Sequence, residues 1–152
     1  MIMNPKINTK VRIAWTQKEI EAHFDIRRKV FVQEQGIFKQ SDRDEFDKKA
    51  IPIICEIDGK IVGTVRIFPL TSSTWMGGRL AVLKEFRTYM VGPLLVNEAV
   101  KTVKRKGGTK FLAHIQPQNV RFFQRLGWKL TGEEVEINGI IHQVMEADLN
   151  RF

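Results

Sequence analysis

The sequence has little of what several function classes require. It holds one cysteine, Cys55, among 152 residues, so no intramolecular disulfide can form. That cysteine lies in the apolar run Ile53-Ile54-Cys55, the setting of a buried, inert thiol rather than a nucleophile. No apolar stretch approaches the roughly 18 residues of a membrane helix. Met1 to Lys10 is too polar for a signal peptide, and together these absences point to a cytoplasmic chain with no membrane association. Repeats and low-complexity segments are absent too, and the length suits one domain with a sizeable core, placed at residues 10–150.

Acidic residues are fewer than basic ones. The 25 Lys and Arg stand against 17 Asp and Glu, a net charge of +8, which favours a polyanionic partner such as coenzyme A, nucleic acid or acidic lipid. The bases are dispersed, as in Lys101, Lys104, Arg105 and Lys106, and this argues against nucleic acid, which selects for clustered charge.

The stretch that organises the chain runs from Arg79-Leu80-Ala81-Val82, through the basic loop Leu83 to Gly92, into a helix over Pro93 to Lys106. This is strand, loop and helix. Unpaired amides and a positive macrodipole make such a helix start a seat for pyrophosphate, with Arg87 and Lys84 adding charge. Glycine is scarce here, with only Gly92 in the loop, whereas phosphate loops are usually richer. An ordinary strand-to-helix connection is the alternative.

The other segments follow from pattern. Val11 to Trp15 alternates as a strand, and Thr16 to Glu19 fits a capping box ahead of a helix with Ile20, Phe24 and Val30 or Phe31 on one stripe, ending near Gln35-Gly36. Ser41 to Asp47 carries four acids within six residues, either a solvated loop or a rim that attracts an amine. Ile51 to Ile57 and Lys60 to Phe68 form a hairpin about Asp58-Gly59. Trp75 to Val82 is a strand whose Gly77-Gly78 signals a bulge or a close approach. The helix face Leu95, Val96, Ala99, Val100 and Val103 ends at Gly107-Gly108. Thr109 to Ile115 is a strand, Asn119 to Leu126 a short helix, and Lys129 to Leu149 a hairpin about Asn138-Gly139. The resulting fold class is α/β (α+β), a mixed, mainly antiparallel sheet of about seven strands with helices on both faces.

Several motifs taken jointly carry a resemblance. They are Arg27 to Gln35, Gly63-Thr64-Val65-Arg66, Arg79 to Val82, Arg87 to Gly92, Phe122 to Trp128 and Gly139-Ile140-Ile141-His142. Over nearly its whole length the chain resembles the GNAT superfamily of acyl-CoA-dependent N-acyltransferases, in a branch of small stand-alone bacterial members. The resemblance implies an enzyme that moves an acetyl group from acetyl-CoA to an amine of a small molecule or peptide, with no metal and with a homodimer plausible for the family. It implies a pair of splayed central strands, Leu80 to Val82 and Phe111 to Ile115, with pantetheine between them. The implied coenzyme contacts are Leu80, Ala81, Val82, Arg87, Thr88, Tyr89, Met90, Val91, Gly92, Pro93, Asn119 and Phe123.

Two positions depart from the family pattern. Met90 replaces the middle glycine of the pyrophosphate loop, and Phe123 replaces the tyrosine that would protonate the leaving thiolate. These departures keep open a coenzyme-binding protein with weak or no activity. For the base that an amine nucleophile needs, Glu34, His114 and His142 are the candidates, each with a structural alternative. A second resemblance, to acyl-homoserine-lactone synthases, rests on Arg27, Val30-Phe31, Asp44, Asp47 and Arg66 to Pro69. The chain is shorter than those enzymes and lacks their early tryptophan.

Overall fold

The computed structural model describes residues 7–152; the polar opening noted above lies, through residue 6, outside the described residues. Seven strands form one sheet in the order β1-β2-β3-β4-β5-β7-β6. They are β1 (Thr9–Ile13), β2 (Ile51–Ile57), β3 (Lys60–Pro69), β4 (Thr74–Val82), β5 (Lys110–Ile115), β6 (Lys129–Ile137) and β7 (Ile140–Glu146). All neighbouring pairs are antiparallel except β4 and β5. The helices are α1 (Gln17–Arg27), α2 (Val91–Arg105) and α3 (Val120–Arg125). The expected mixed sheet and element order are therefore present, although β1 is Thr9–Ile13 rather than Val11 to Trp15.

Local chemistry accounts for the boundaries. Thr16 Oγ1 accepts from the Glu19 amide at 3.1 Å and Glu19 Oε1 accepts from the Thr16 amide at 3.1 Å, which completes the capping box. Both hairpins turn on a left-handed pair, Asp58-Gly59 and Asn138-Gly139, as two-residue turns that follow strand twist require. At the end of α2, the Gly107 amide donates to Lys104 O and the Gly108 amide to Val103 O, a Schellman closure.

Helices cover both faces, as adjacent residues of β3 show. A Cβ on Gly63 would lie 2.6 Å from Val91 and 3.0 Å from Leu95 of α2, whereas Thr64 contacts His23 of α1. The α2 stripe Leu95, Val96, Ala99, Val100 and Val103 is buried in the main core, as the sequence indicates. On α1 the expected stripe is shifted. Ile20 and Phe24 are half-buried, and the face against the sheet carries His23, Ile26 and Arg27, because this helix covers a polar network. After Arg27 the helix widens into a π-helical segment, Arg28–Glu34, a rare geometry that tends to occur at functional sites.

Candidate active site

The site begins where β4 and β5 part. Their parallel ladder runs from Thr74↔Lys110 to Gly77↔Ala113 and goes no further. Beside the end of that ladder, Val65 of β3 faces two residues of β4, Arg79 and Leu80, since Thr64 pairs with Ala81 and Arg66 with Gly78. Arg79 takes φ 55°, the left-handed step of a bulge that bends the strand. The glycine pair signalled an irregularity one residue early. Gly77 instead serves close approach, because a Cβ there would sit 2.8 Å from the Phe111 ring.

The parted strands open a cavity of about 820 Å³. It is lined at the α2 end by Gly92 and Pro93, in the gap by Gly78, Leu80, Ala113 and Ile115, and on the α1 face by His114 and His142. Of the expected coenzyme residues, Leu80, Ala81, Val82, Arg87, Gly92, Pro93, Asn119 and Phe123 line this cavity. Thr88, Tyr89, Met90 and Val91 are not among the lining residues. Val91 is fully buried in the core and can offer only its amide.

Helix α2 starts two residues before the proline expected to open it. Its N-cap is Met90, at φ 62° and ψ 23°, with no side-chain cap. The methionine thus adopts the left-handed backbone that glycine would supply, with its side chain 64% exposed. Among the described residues the amides of Val91 and Gly92 meet no backbone or side-chain acceptor. Unpaired amides at a helix start suit an anion. Arg87, expected to add charge there, lines the cavity with its guanidinium already paired. It donates to Glu34 through two bonds of 2.6 Å and to Val82 O at 3.1 Å.

That pairing also bears on Glu34. Its bonds from Arg87 hold the carboxyl below its ordinary range, which makes it a weak proton acceptor. The two histidines are placed differently. His142 is 8% exposed, and its Nδ1 lies 2.9 Å from Ile140 O. A carbonyl can only accept, so Nδ1 is the donor, and in the neutral ring Nε2 is the nitrogen that can accept a proton. His114 pairs with Val144 on β7, two residues from His142 on the same face. Burial, followed by the nearby His142, pushes its pKa down, so it is neutral at pH 7. Cys55 is fully buried and its thiol is pushed up to about 11 by burial, in keeping with an inert group.

Three of the four acids of the segment are paired with arginines, and the fourth, Glu45, is exposed. Arg27, fully buried, donates to Asp42 Oδ2 at 2.7 Å and to Asp47 at 2.7 and 3.0 Å. Arg66 grips Asp44 through bonds of 2.6 and 2.8 Å and reaches Asp47 at 2.9 Å. Arg79 donates to Asp42 O at 2.9 and 3.1 Å and reaches Asp44 at 3.3 Å. Three arginines meet three aspartates, and the charges balance. The network continues inward. Thr64 donates to Ile53 O, so its oxygen accepts from His23 Nδ1, and His23 Nε2 accepts from Arg27 at 3.0 Å. Burial, then the Arg27 charge, lowers His23 to about 3, which keeps it neutral. The residues were visible in the sequence as a run of acids and scattered arginines; their mutual burial was not. Also missed were the apolar lining residues Phe38, Phe46 and Met76, which no local pattern marks.

A protein-family model described as an acetyltransferase (GNAT) domain matches residues 15–149, so the chain belongs to the GNAT acetyltransferase family and is an acetyltransferase. YyaT of Bacillus subtilis (strain 168), an uncharacterized protein, is 30% identical over 139 residues, 90% of this chain and 93% of that protein. Among solved structures, an acyl-CoA N-acyltransferase from Pseudomonas aeruginosa superposes with a TM-score of 0.78 at 20% identity, over 94% of this chain and all of that one. A GNAT family acetyltransferase from Elizabethkingia anophelis, solved with acetyl-CoA bound, gives 0.72 at 15% identity, over 93% and 98% of the two chains. No helix among the described residues is long and apolar enough to cross a membrane.

Proposed function

We propose that this acetyltransferase moves an acetyl group from acetyl-CoA to the amine of a small molecule or peptide by direct attack in a ternary complex. The observation that carries the reading is the continuity of the site. The α2 start, where the amides of Val91 and Gly92 are unpaired, borders the cavity at Gly92 and Pro93, and the same cavity reaches the parted strands, His114 and His142. The acetyl-CoA-bound neighbour of the same fold supports the choice of coenzyme. The left-handed Met90 gives the loop its backbone without glycine.

In this reading the Val91 and Gly92 amides hold the pyrophosphate, and backbone groups near Leu80 to Val82, beyond the end of the β4–β5 ladder, hold the pantetheine arm and stabilise the developing oxyanion. His142 Nε2 takes the proton from the attacking amine. The new bond joins amine nitrogen to acyl carbon, and the carbon–sulfur bond breaks. Phe123, 7% exposed and packed edge-on against Trp128, has no proton to give, so sulfur leaves as thiolate, which a thiol pKa of about 8.5 allows.

The test is the thermal midpoint with excess acetyl-CoA, beside desulfo-CoA and ATP. A ligand at about 100 times its Kd adds roughly 2.7 kcal/mol, or about 5–10 °C for a chain of this length. Absence of a coenzyme-specific shift refutes the reading.

A further inference from the structure

Away from the α2 start the cavity, here called its chamber, is lined by Phe31, Phe38, Phe46, Phe68 and Met76. Phe38 and Phe46 are half-buried, and Leu70, also in the lining, is 43% exposed, so solvent-exposed residues border the cavity on the side away from the α2 start.

The charges of this chamber are already used. Asp44 is the one carboxylate in its lining, and Arg66 holds both its oxygens. Asp42 and Asp47, behind it, are taken by Arg27, Arg66 and Arg79. Cations already lie over three of the four phenylalanine rings. Arg79 lies 4.8 Å from the Phe38 ring centre and Arg66 5.3 Å from that of Phe68. Lys49 lies 5.7 and 5.8 Å from the stacked rings of Phe46 and Phe68. A ligand's second positive charge would lose its water here, meet no free carboxylate and be repelled by these cations.

We infer that the acceptor is a monoamine on an apolar aryl or alkyl body, seated between the phenylalanine walls with its nitrogen toward His142, and that polycationic acceptors such as polyamines, aminoglycosides and lysine-rich peptides are excluded. The inference rests on the acetyltransferase reading and sharpens it. The chemistry stays balanced: the amine loses one proton to His142 and gains one acyl group, and the thiolate departs. Walls of this kind favour the apolar body through surface removed from water, an effect worth about tenfold or more for a phenyl or hexyl group.

The experiment compares kcat/KM for phenethylamine and hexylamine with that for spermidine, lysine amide and kanamycin, at saturating acetyl-CoA. Coenzyme binding is confirmed beforehand by the thermal shift. Phenethylamine and hexylamine should exceed the polycations by about tenfold or more. Phe46→Ala should raise the KM for phenethylamine several-fold and leave the KM for acetyl-CoA unchanged. Met76→Ala serves as the second wall variant if Phe46→Ala fails to fold. A preference for the polycations, or no preference, overturns the inference. So does a rise in kcat/KM from acetyl-CoA to hexanoyl-CoA with indifference to the amine, which would make the chamber an acyl-chain pocket. Protein that binds acetyl-CoA yet acetylates none of the apolar amines also overturns it, while protein that does not bind acetyl-CoA defeats the acetyltransferase reading itself.

Discussion

Replacing Arg27 with methionine keeps the length of the side chain and removes its charge from the centre of the network. Five contacts disappear: Nε to Asp42, Nη1 to Asp47 and to His23, and Nη2 to Asp47 and to the Asp42 carbonyl. Asp42, whose side chain is 3% exposed, retains Arg79 at 3.2 Å, and Asp47, at 11%, retains Arg66 at 2.9 Å. Breaking a buried pair costs about 3–5 kcal/mol because the remaining charge is stranded. The surviving partners put this case near the lower end, about 3 kcal/mol, or a fall in Tm of about 6–12 °C at this chain length. Two-state urea unfolding and thermal melts at pH 7 would measure it. A pH series adds a sign. Burial works against the Asp47 carboxylate, but hydrogen bonds from Arg27, the Asp44 amide and Arg66 outweigh it and hold the group below its ordinary range. A group depressed in this way contributes stability above its unfolded pKa of about 3.9 and loses it as the pH falls through the native value. Without Arg27, Asp47 takes up its proton at a higher pH and relieves part of the penalty. The stability gap between wild type and Arg27→Met should therefore narrow from pH 7 to pH 3. A loss under about 1 kcal/mol at pH 7, the value of a surface pair, or a gap that widens in acid, refutes the reasoning.

Other positions give separate tests. His142→Ala should lower kcat/KM by about 100-fold or more, the usual contribution of a general base, whereas Glu34→Gln should change it by less than about threefold, since Arg87 already holds that carboxylate; thiol release reports both, and the reverse ranking would transfer the base role to Glu34. Met90→Gly removes a left-handed strain of about 1–2 kcal/mol and adds an unfolded-state entropy cost of about 0.5–1 kcal/mol. The variant should melt at the same temperature or up to about 6 °C higher with acetyl-CoA binding intact, and a clear destabilisation would show that the methionine side chain has a packing role. Gly77→Ala drives a Cβ into the Phe111 ring at 2.8 Å, for a loss of about 1–3 kcal/mol by overpacking; an unchanged melt would mean the ring is free to move aside.

Much of the fold could be read from short-range chemistry. The capping box at Thr16, the turns at Asp58-Gly59 and Asn138-Gly139, and the glycines that close α2 each depend on residues within a few positions, so local pattern was sufficient. The same holds for the strand, loop and helix from Arg79 to Lys106 and for the apolar stripe of α2, whose 3.6-residue period is written in one segment. The motif set likewise pointed to the GNAT family, because each motif is a run of neighbours.

What depended on distant residues was decided by packing. Arg27 and Asp42 are 15 positions apart and Arg79 and Asp42 are 37 apart, so nothing local distinguished an acidic loop in solvent from a buried neutral network. Glu34 and Arg87, 53 positions apart, took the two residues expected to act as base and pyrophosphate ligand and paired them with each other. The bulge at Arg79 and the aromatic lining likewise arise only when distant segments pack together. Local sequence determined the elements and the family, since helix caps, turns and stripes are short-range. The pairing of the buried charges and the shape of the cavity on the α1 face were set by tertiary structure, since a carboxylate's freedom depends on which arginine folding brings to it.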